Sequence, residues 1–375
     1  MGVRVYWLIV AAVIVFGIIM PQTGWKRKYY IMLMAAIHIF VCGFRYMYLT
    51  GDLRKYAATY YALVDHSWFS EYAWHGGRNA GFQWLMKFVA ELTQGDFQVF
   101  LFTLAVFTQV AAAVLIYLYS PAPWMSYLVW NCMAFYVTYD FTAIKQGLAM
   151  AVLMYALICV FENRPKAFVA VTLLAGFIHA PALCFLPAYW IVKTRVNRQS
   201  LVFYIFAAAI IFVFRTRLMN FVTELYYAGN DEMDFIMMSA SPGGRFAVIV
   251  LIAAAGLLLK GFREKRFEQL FHIILIAAVF QMFSSFDNIF TRLADYYLQF
   301  TVLFIPMIFY ADQRNAPVNA DYTKPVLDFN YRSIRLFILI LTVVLVWWYE
   351  YTCLGTTQNP VDDFTNYRFM WEVDE

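Results

Sequence analysis

Apolar runs of roughly 15 to 20 residues recur from one end of this chain to the other, and each is long enough, or nearly so, to cross a bilayer. At 1.5 Å per helical residue, such a run covers most of a hydrocarbon core about 30 Å thick. A backbone in hydrocarbon must satisfy its own polar groups, so the runs are expected to be helices. The composition agrees. Of the 375 residues, 63% are hydrophobic and 14% charged, against about 45–50% and about 25% in soluble domains. The 20% aromatic content would overfill a soluble core. The runs leave no room for a separate soluble domain. The expected fold class is therefore all-α: one polytopic membrane bundle over residues 1–375 with 11 to 12 spans.

The candidate spans are 4–21, 29–49, 97–119, 124–139, 145–161, 167–179, 181–192, 201–216, 246–260, 269–286, 293–311 and 334–351. Pro181 and Pro187 interrupt the pair around His179, which reads as two spans or as one broken hairpin. Segment 79–94 is amphipathic and too charged to span, so it is expected in the membrane interface. The first apolar run, Val5 to Met20, has no small-residue cleavage pattern and is followed by Lys26-Arg27-Lys28, so it reads as a retained span. Cys42, Cys132, Cys159, Cys184 and Cys353 are scattered, with no CxxC pair, and read as small core residues.

Alternating loops carry the basic clusters: Lys26-Arg27-Lys28, Arg164 with Lys166, Lys193 with Arg195 and Arg198, Lys260 to Arg266, and Arg314 to Arg335. Acidic residues predominate on the opposite face. The positive-inside rule makes the first face cytoplasmic. Both termini then lie outside, together with extracytoplasmic loops 50–96 and 215–245, turns 140–144 and 287–292, and the tail 352–375. Tyrosines and tryptophans crowd the same edges (Tyr46, Tyr48, Tyr56, Tyr60, Tyr61, Trp68, Tyr72, Trp74, Tyr226 and Tyr227). They fit an interfacial aromatic belt, or a surface on which sugar rings stack.

Ionisable residues at span ends point to a site, because charge near hydrocarbon tends to line a cavity or pair with a partner. Arg45 lies just inside the outer end of its span and Asp52 follows at a glycine turn; they read as an ion pair or as an anion site with a carboxylate base. Lys145 and Gln146 open a span, where a helix N-terminus suits phosphate or sugar oxygens. His179 sits at the helix break, either as a satisfied interfacial histidine or as a base. Ser241-Pro242-Gly243-Gly244-Arg245 precedes a span and offers backbone N–H groups beside a fixed charge. Arg292 and Asp295 share a helix face at i, i+3, so a local salt bridge is the simplest reading. All five clusters project onto one membrane face, and four carry Lys or Arg. An anionic, lipid-linked ligand at the outer leaflet would need such cations.

Other chemistries lack their motifs: HExxH, Walker A, GxGxxG, GxSxG and CxxC are all missing from the sequence. No basic domain suits nucleic acid. A glycosyltransferase that faces outward has no nucleotide-sugar at hand and would use a lipid-phosphate-activated sugar.

The sequence resembles the EpsG family of bacterial exopolysaccharide polymerases, related in role to the Wzy polymerases, from the first span to about residue 310. The carriers are Phe44-Arg45-Tyr46 with Gly51-Asp52 and Tyr56; Gly81-Phe82 after Asn79-Ala80; Ile144-Lys145-Gln146-Gly147-Leu148-Ala149; Phe177-Ile178-His179-Ala180-Pro181-Ala182-Leu183; and Arg292-Leu293-Ala294-Asp295-Tyr296-Tyr297. Lys145-Gln146 stands where the family usually has Arg-Gln. Asn79 or Ala80 stands where it usually has an acid. The resemblance implies a GT-C-like bundle at the bacterial inner membrane with its site facing the periplasm or exterior. The implied reaction transfers a glycan from undecaprenyl diphosphate to a hydroxyl of a newly flipped lipid-linked repeat unit. It needs cations for the leaving group, favours a base on the hydroxyl, and needs no cofactor or metal. Implied partners are the lipid-linked donor and acceptor, membrane lipid, a flippase and a chain-length regulator. The residues assigned to the diphosphate are Arg45, Arg245 and Arg292. Asp52 and His179 compete as general base, and Lys145, Gln146 and Arg78 would hold sugar or phosphate oxygens, with Asp295 beside them.

Three other readings stay open. A flippase would show two similar halves and mid-membrane charges. An O-acyltransferase would want an inner-face histidine; His272 lies there with no partner evident in sequence. An outer-face ligase uses the same chemistry as the polymerase.

Overall fold

The computed structural model describes residues 2–74, 79–227, 243–262, 264–310, 330–349 and 367–372. The described residues form a nearly all-helical bundle without strands, as expected for a helical membrane protein. Among the described residues, four helices are long and apolar enough to cross a membrane: Phe97–Tyr119, Ile144–Phe161, Arg198–Asn220 and Gly243–Lys260. Shorter apolar helices cover Val5–Ile19, Pro165–Ile178 and Ala180–Ile191. The chain divides into two compact units, Met1–Leu186 with Asn330–Glu375, and Pro187–Phe329.

The first unit begins with α1 (Gly2–Ile19) and α2 (Arg27–Gly43). The segment expected as an outer loop folds into α3 (Gly51–Val64), α4 (Glu71–Trp74) and α5 (Ala80–Leu92). Thr50 caps α3 by accepting the Leu53 N–H at 3.4 Å. Asp96 caps the next helix, α6 (Phe97–Tyr119), by accepting from Gln98 and Val99 N–H at 2.8 and 3.2 Å. Then come α7 (Pro123–Cys132), a π-helical turn (Tyr136–Asp140), α8 (Ile144–Phe161), α9 (Pro165–Ile178) and a 3-10 turn (Ala180–Phe185). Pro123 and Pro165 start their helices at positions where no N–H is needed.

The second unit holds α10 (Ala188–Ile191), α11 (Arg198–Tyr227), α12 (Gly243–Ala255) continued by a π-helical turn (Gly256–Lys260), α13 (Lys265–Met282), α14 (Asn288–Leu298) and α15 (Thr301–Phe309). The last helix, α16 (Tyr331–Tyr349), belongs to the first unit.

Several expected spans have different bounds in the structure. Run 124–139 breaks after Cys132, because Ala134 takes a left-handed backbone with φ 66°. Run 181–192 is a 3-10 turn and a short helix, because Pro181 and Pro187 remove N–H donors. Run 293–311 is split between α14 and α15. There Thr301 Oγ1 donates back to the Leu298 carbonyl at 2.7 Å and Gln299 Nε2 to the Tyr296 carbonyl at 3.1 Å, in place of regular helix bonding.

Candidate functional site: motif stretches converge within each unit

The motif stretches of the first unit come together through close backbone approach. A Cβ added at Gly81 would lie 2.5 Å from Phe177 Cδ1 and 3.0 Å from the Phe177 carbonyl carbon, so only glycine lets α5 pack against the end of α9. Two residues earlier, Asn79 adopts a left-handed backbone with φ 58°, which asparagine tolerates well. Its Oδ1 accepts the Ala180 N–H at 2.9 Å, which satisfies a donor freed by the helix break. The Tyr56 ring meets the Phe82 ring edge-on at 5.5 Å. The stretches around Tyr56, Gly81 and His179 therefore form one assembly. Asn79, where the resembled family usually carries an acid, serves here as a backbone acceptor.

His179 is half-buried and ends α9, with its N–H donating to the Ala175 carbonyl at 2.8 Å. Asp52 lies in the first turn of α3, partly exposed and 3.9 Å from Lys55. Arg78 lies outside the described residues.

Arg45 is wholly buried at the end of α2. Its Nη1 donates to the Cys42 carbonyl and, at 2.8 Å, to Cys42 Sγ. Its guanidinium sits 5.1 Å from the centre of the Phe141 ring. Nε and Nη2 have no hydrogen-bond partner among the described residues. Buried N–H groups of a cation left in this way are costly. A short strap, Tyr367 to Trp371, pairs with the backbone on either side of Arg45. Tyr46 N–H donates to the Arg368 carbonyl at 2.9 Å and Met370 N–H to the Phe44 carbonyl at 2.9 Å. The Tyr367 hydroxyl donates to the Val41 carbonyl at 2.8 Å, and its ring packs edge-on against Tyr6.

Beneath Arg45, the Cys42 thiol donates to the Asp140 carbonyl at 3.4 Å, and the Asp140 carboxylate accepts from Gln109 Nε2. Asp140 is buried at the end of the π-helical turn. That turn also seats the Lys145-Gln146 stretch. A Cβ added at Gly147 would lie 2.5 Å from the Tyr139 carbonyl oxygen, so α8 starts in direct backbone contact with the turn. Lys145 is half-buried and Gln146 buried there.

The aromatic edge divides into two populations. Tyr60 is buried, with its hydroxyl donating to the Asp96 carbonyl at 3.1 Å. Tyr61, Phe69, Tyr72 and Trp74 are exposed.

In the second unit, Arg245 and Asp295 form an ion pair between α12 and α14. Asp295 is buried and Arg245 partly exposed. The i, i+3 reading had assigned Asp295 to Arg292, but the structure gives it a partner about 50 residues away. The cause is helix orientation: the face of α14 that carries Asp295 packs inward, while Arg292 is exposed. His272 also has partners that sequence did not reveal. Its Nδ1 bonds the Glu268 carbonyl at 2.9 Å, and its Nε2 meets Thr194 Oγ1 at 3.0 Å and the Tyr204 hydroxyl at 3.1 Å.

A family model described as the EpsG family matches residues 28–320, which takes in every described motif stretch above. The chain belongs to the EpsG family. This is a family of Wzy-like exopolysaccharide polymerases, so the EpsG assignment carries membrane-bound polysaccharide biosynthesis with it. No curated protein and no solved structure matches the chain. In this EpsG protein Cys42 contacts Arg45, and Asp140 and Gln109 continue the buried chain behind it, a role the sequence reading had not given Gln109. Gln109 was the legible signal, since a polar side chain midway along an apolar helix seeks a buried partner.

Proposed function

We propose that this chain polymerises lipid-linked oligosaccharide repeat units at the outer face of the bacterial cytoplasmic membrane, with undecaprenyl diphosphate as the leaving group. The observation that carries the reading is the family match, which runs through Arg45, Lys145, Arg245 and Arg292 alike. In the reaction, the acceptor hydroxyl oxygen attacks the anomeric carbon of the donor glycan. The bond from that carbon to the diphosphate oxygen breaks, and undecaprenyl diphosphate departs with the electron pair. The hydroxyl proton passes to a base, Asp52 or His179. Arg245 and Arg292 hold the diphosphate charge, with Arg45 as a further cation of the reading. Lys145, Gln146 and Arg78 orient sugar oxygens.

Contacts within each unit support the sidedness. Arg27 of the basic triplet donates to the Tyr117 and Ser120 carbonyls, which fall on the inner face in the same reading. Asn79 meets Ala180, and the strap meets Phe44 to Tyr46; all belong to the outer face. Arg245 meets Asp295 on that face too. Both termini are outside in this reading. A flippase and a chain-length regulator are the partners it would work beside.

The test is the lipid-linked glycan profile of a deletion strain. Single repeat units should accumulate outside. Full-length chains without a final acceptor would make the protein a ligase instead, and single units trapped inside would make it a flippase.

A further inference from the structure

A helix leaves its last carbonyls without partners, and in α2 side chains cap them. Gln98 Nε2 donates to the Gly43 carbonyl at 2.7 Å, the Tyr367 hydroxyl to the Val41 carbonyl at 2.8 Å, and Arg45 Nη1 to the Cys42 carbonyl. This cap pins Nη1 of Arg45. The opposite edge of the guanidinium, Nε with Nη2, is buried and has no hydrogen-bond partner. The N–H bonds of that edge run parallel, and two oxygens of one phosphate fit them. Arginine cannot shed its charge, and a buried cation without an anion is costly. Among the described residues, no carboxylate lies within ion-pair distance of Arg45. The edge is therefore suited to an anion that comes from outside the chain.

Arg45 pairs with Phe369 across an isolated β-bridge, with one backbone bond on each side, Tyr46 N–H to the Arg368 carbonyl and Met370 N–H to the Phe44 carbonyl. Arg368, Met370 and Trp371 are exposed while Arg45 is wholly buried, so the strap is the outer layer at this point. The Tyr367 ring lies 6.1 Å from Phe141, the ring over which the Arg45 guanidinium sits. The Phe369 and Trp371 rings rest on Phe40. Such a bridge, short and at the surface, opens far more readily than a packed helix. An anion reaches the wholly buried Arg45 only if a layer over it moves, and the strap is the lightly tied one. We propose that the strap Tyr367 to Trp371 is an autoinhibitory cover on an anion subsite at Arg45, displaced when a diphosphate takes the Nε–Nη2 edge. The proposal rests on reading the chain as acting on diphosphate-linked glycans, and it adds a means of regulation to that site.

The test measures binding of radiolabelled undecaprenyl diphosphate, and separately of free pyrophosphate, to the full chain in phosphatidylcholine nanodiscs. A cover lowers apparent affinity by the fraction of molecules in which it is open. Tyr367→Phe keeps the ring and loses the hydroxyl bond to Val41, so it should tighten binding about two- to tenfold, the worth of one hydrogen bond. Arg45→Lys keeps the charge and loses the parallel edge, so it should weaken binding about tenfold or more and cancel the gain of Tyr367→Phe. Residues opposite each other across an antiparallel pair lie about 4.5–5.5 Å apart, within reach of a disulfide. Phe44→Cys with Met370→Cys therefore locks the strap when oxidised. The lock should block binding and a reductant should restore it, which keeps the test intact should Tyr367→Phe fail to fold. This pattern with both probes assigns the subsite to the diphosphate itself, and with the lipid alone to the head on its chain. Equal affinity of the native, Tyr367→Phe and locked proteins would overturn the proposal and make the strap a structural tie. Binding that Arg45→Lys leaves unchanged would place the anion elsewhere and overturn it too. Binding is read here without turnover, so the polymerase reading stands or falls separately, on the glycans of the deletion strain.

Discussion

Removing Arg245 and Asp295 singly and together separates an anion-binding arginine from a structural counter-ion. Asp295 is buried and Arg245 partly exposed, with side-chain accessibilities of 2% and 29%. Breaking a fully buried pair by losing one partner costs about 3–5 kcal/mol, and an exposed pair is worth about 0.2–1 kcal/mol. Arg245→Met removes this cation from beside the buried carboxylate, and the partial exposure of Arg245 puts the expected loss at about 2 kcal/mol. Asp295→Leu strands only the partly hydrated guanidinium, so its loss should be smaller. The double variant removes both charges and replaces them with apolar groups, so it should regain most of the stability. Thermal aggregation in detergent reads the stability of each variant. Polymerisation in a deletion strain, at matched membrane levels, reads function. If Arg245 holds diphosphate, the double variant is stable and inactive. If the double variant polymerises like the native protein, Arg245 only neutralises Asp295, and the anion-site reasoning fails.

Three further outcomes follow from other contacts. Arg292→Ala should lower polymerisation about ten- to a hundredfold, the value of one charge-assisted bidentate contact of about 1.5–3 kcal/mol, while Arg292→Lys stays partly active; native rates for Arg292→Ala would leave Arg292 without that role. Gly81→Val should cost about 1–3 kcal/mol through overlap with Phe177, measured as lower thermal stability, and an unchanged midpoint would refute the close approach of α5 to α9. Tyr367→Ala removes the hydroxyl bond to Val41 and the ring contact with Tyr6, so the strap should loosen and alkylation of buried Cys42 by a small maleimide should rise about tenfold or more; an unchanged alkylation rate would show that the strap does not seal Arg45.

The sequence by itself determined the solvent. Apolar runs with the length of a bilayer and a low charge content allow helices and little else. The amphipathic period of 79–94 likewise placed α5, and Pro181 placed the break at His179. Periodicity reports the environment of a helix face, however, and does not say which neighbour supplies it. That is why Asp295 looked like the partner of Arg292 by spacing and proved to be the partner of Arg245, and why His272 looked alone. Arg45 shows the same limit. Its place at a span end was plain, but its complete burial and its pairing with a strap more than 300 residues away were not. Gly81 and Gly147 were visible only as motif letters, and their reason lies in backbones that approach too closely for any Cβ. Local pattern carries the free energy of transfer into the membrane, which each segment settles for itself. Pairings between distant segments are settled by packing, so only the tertiary structure could decide them.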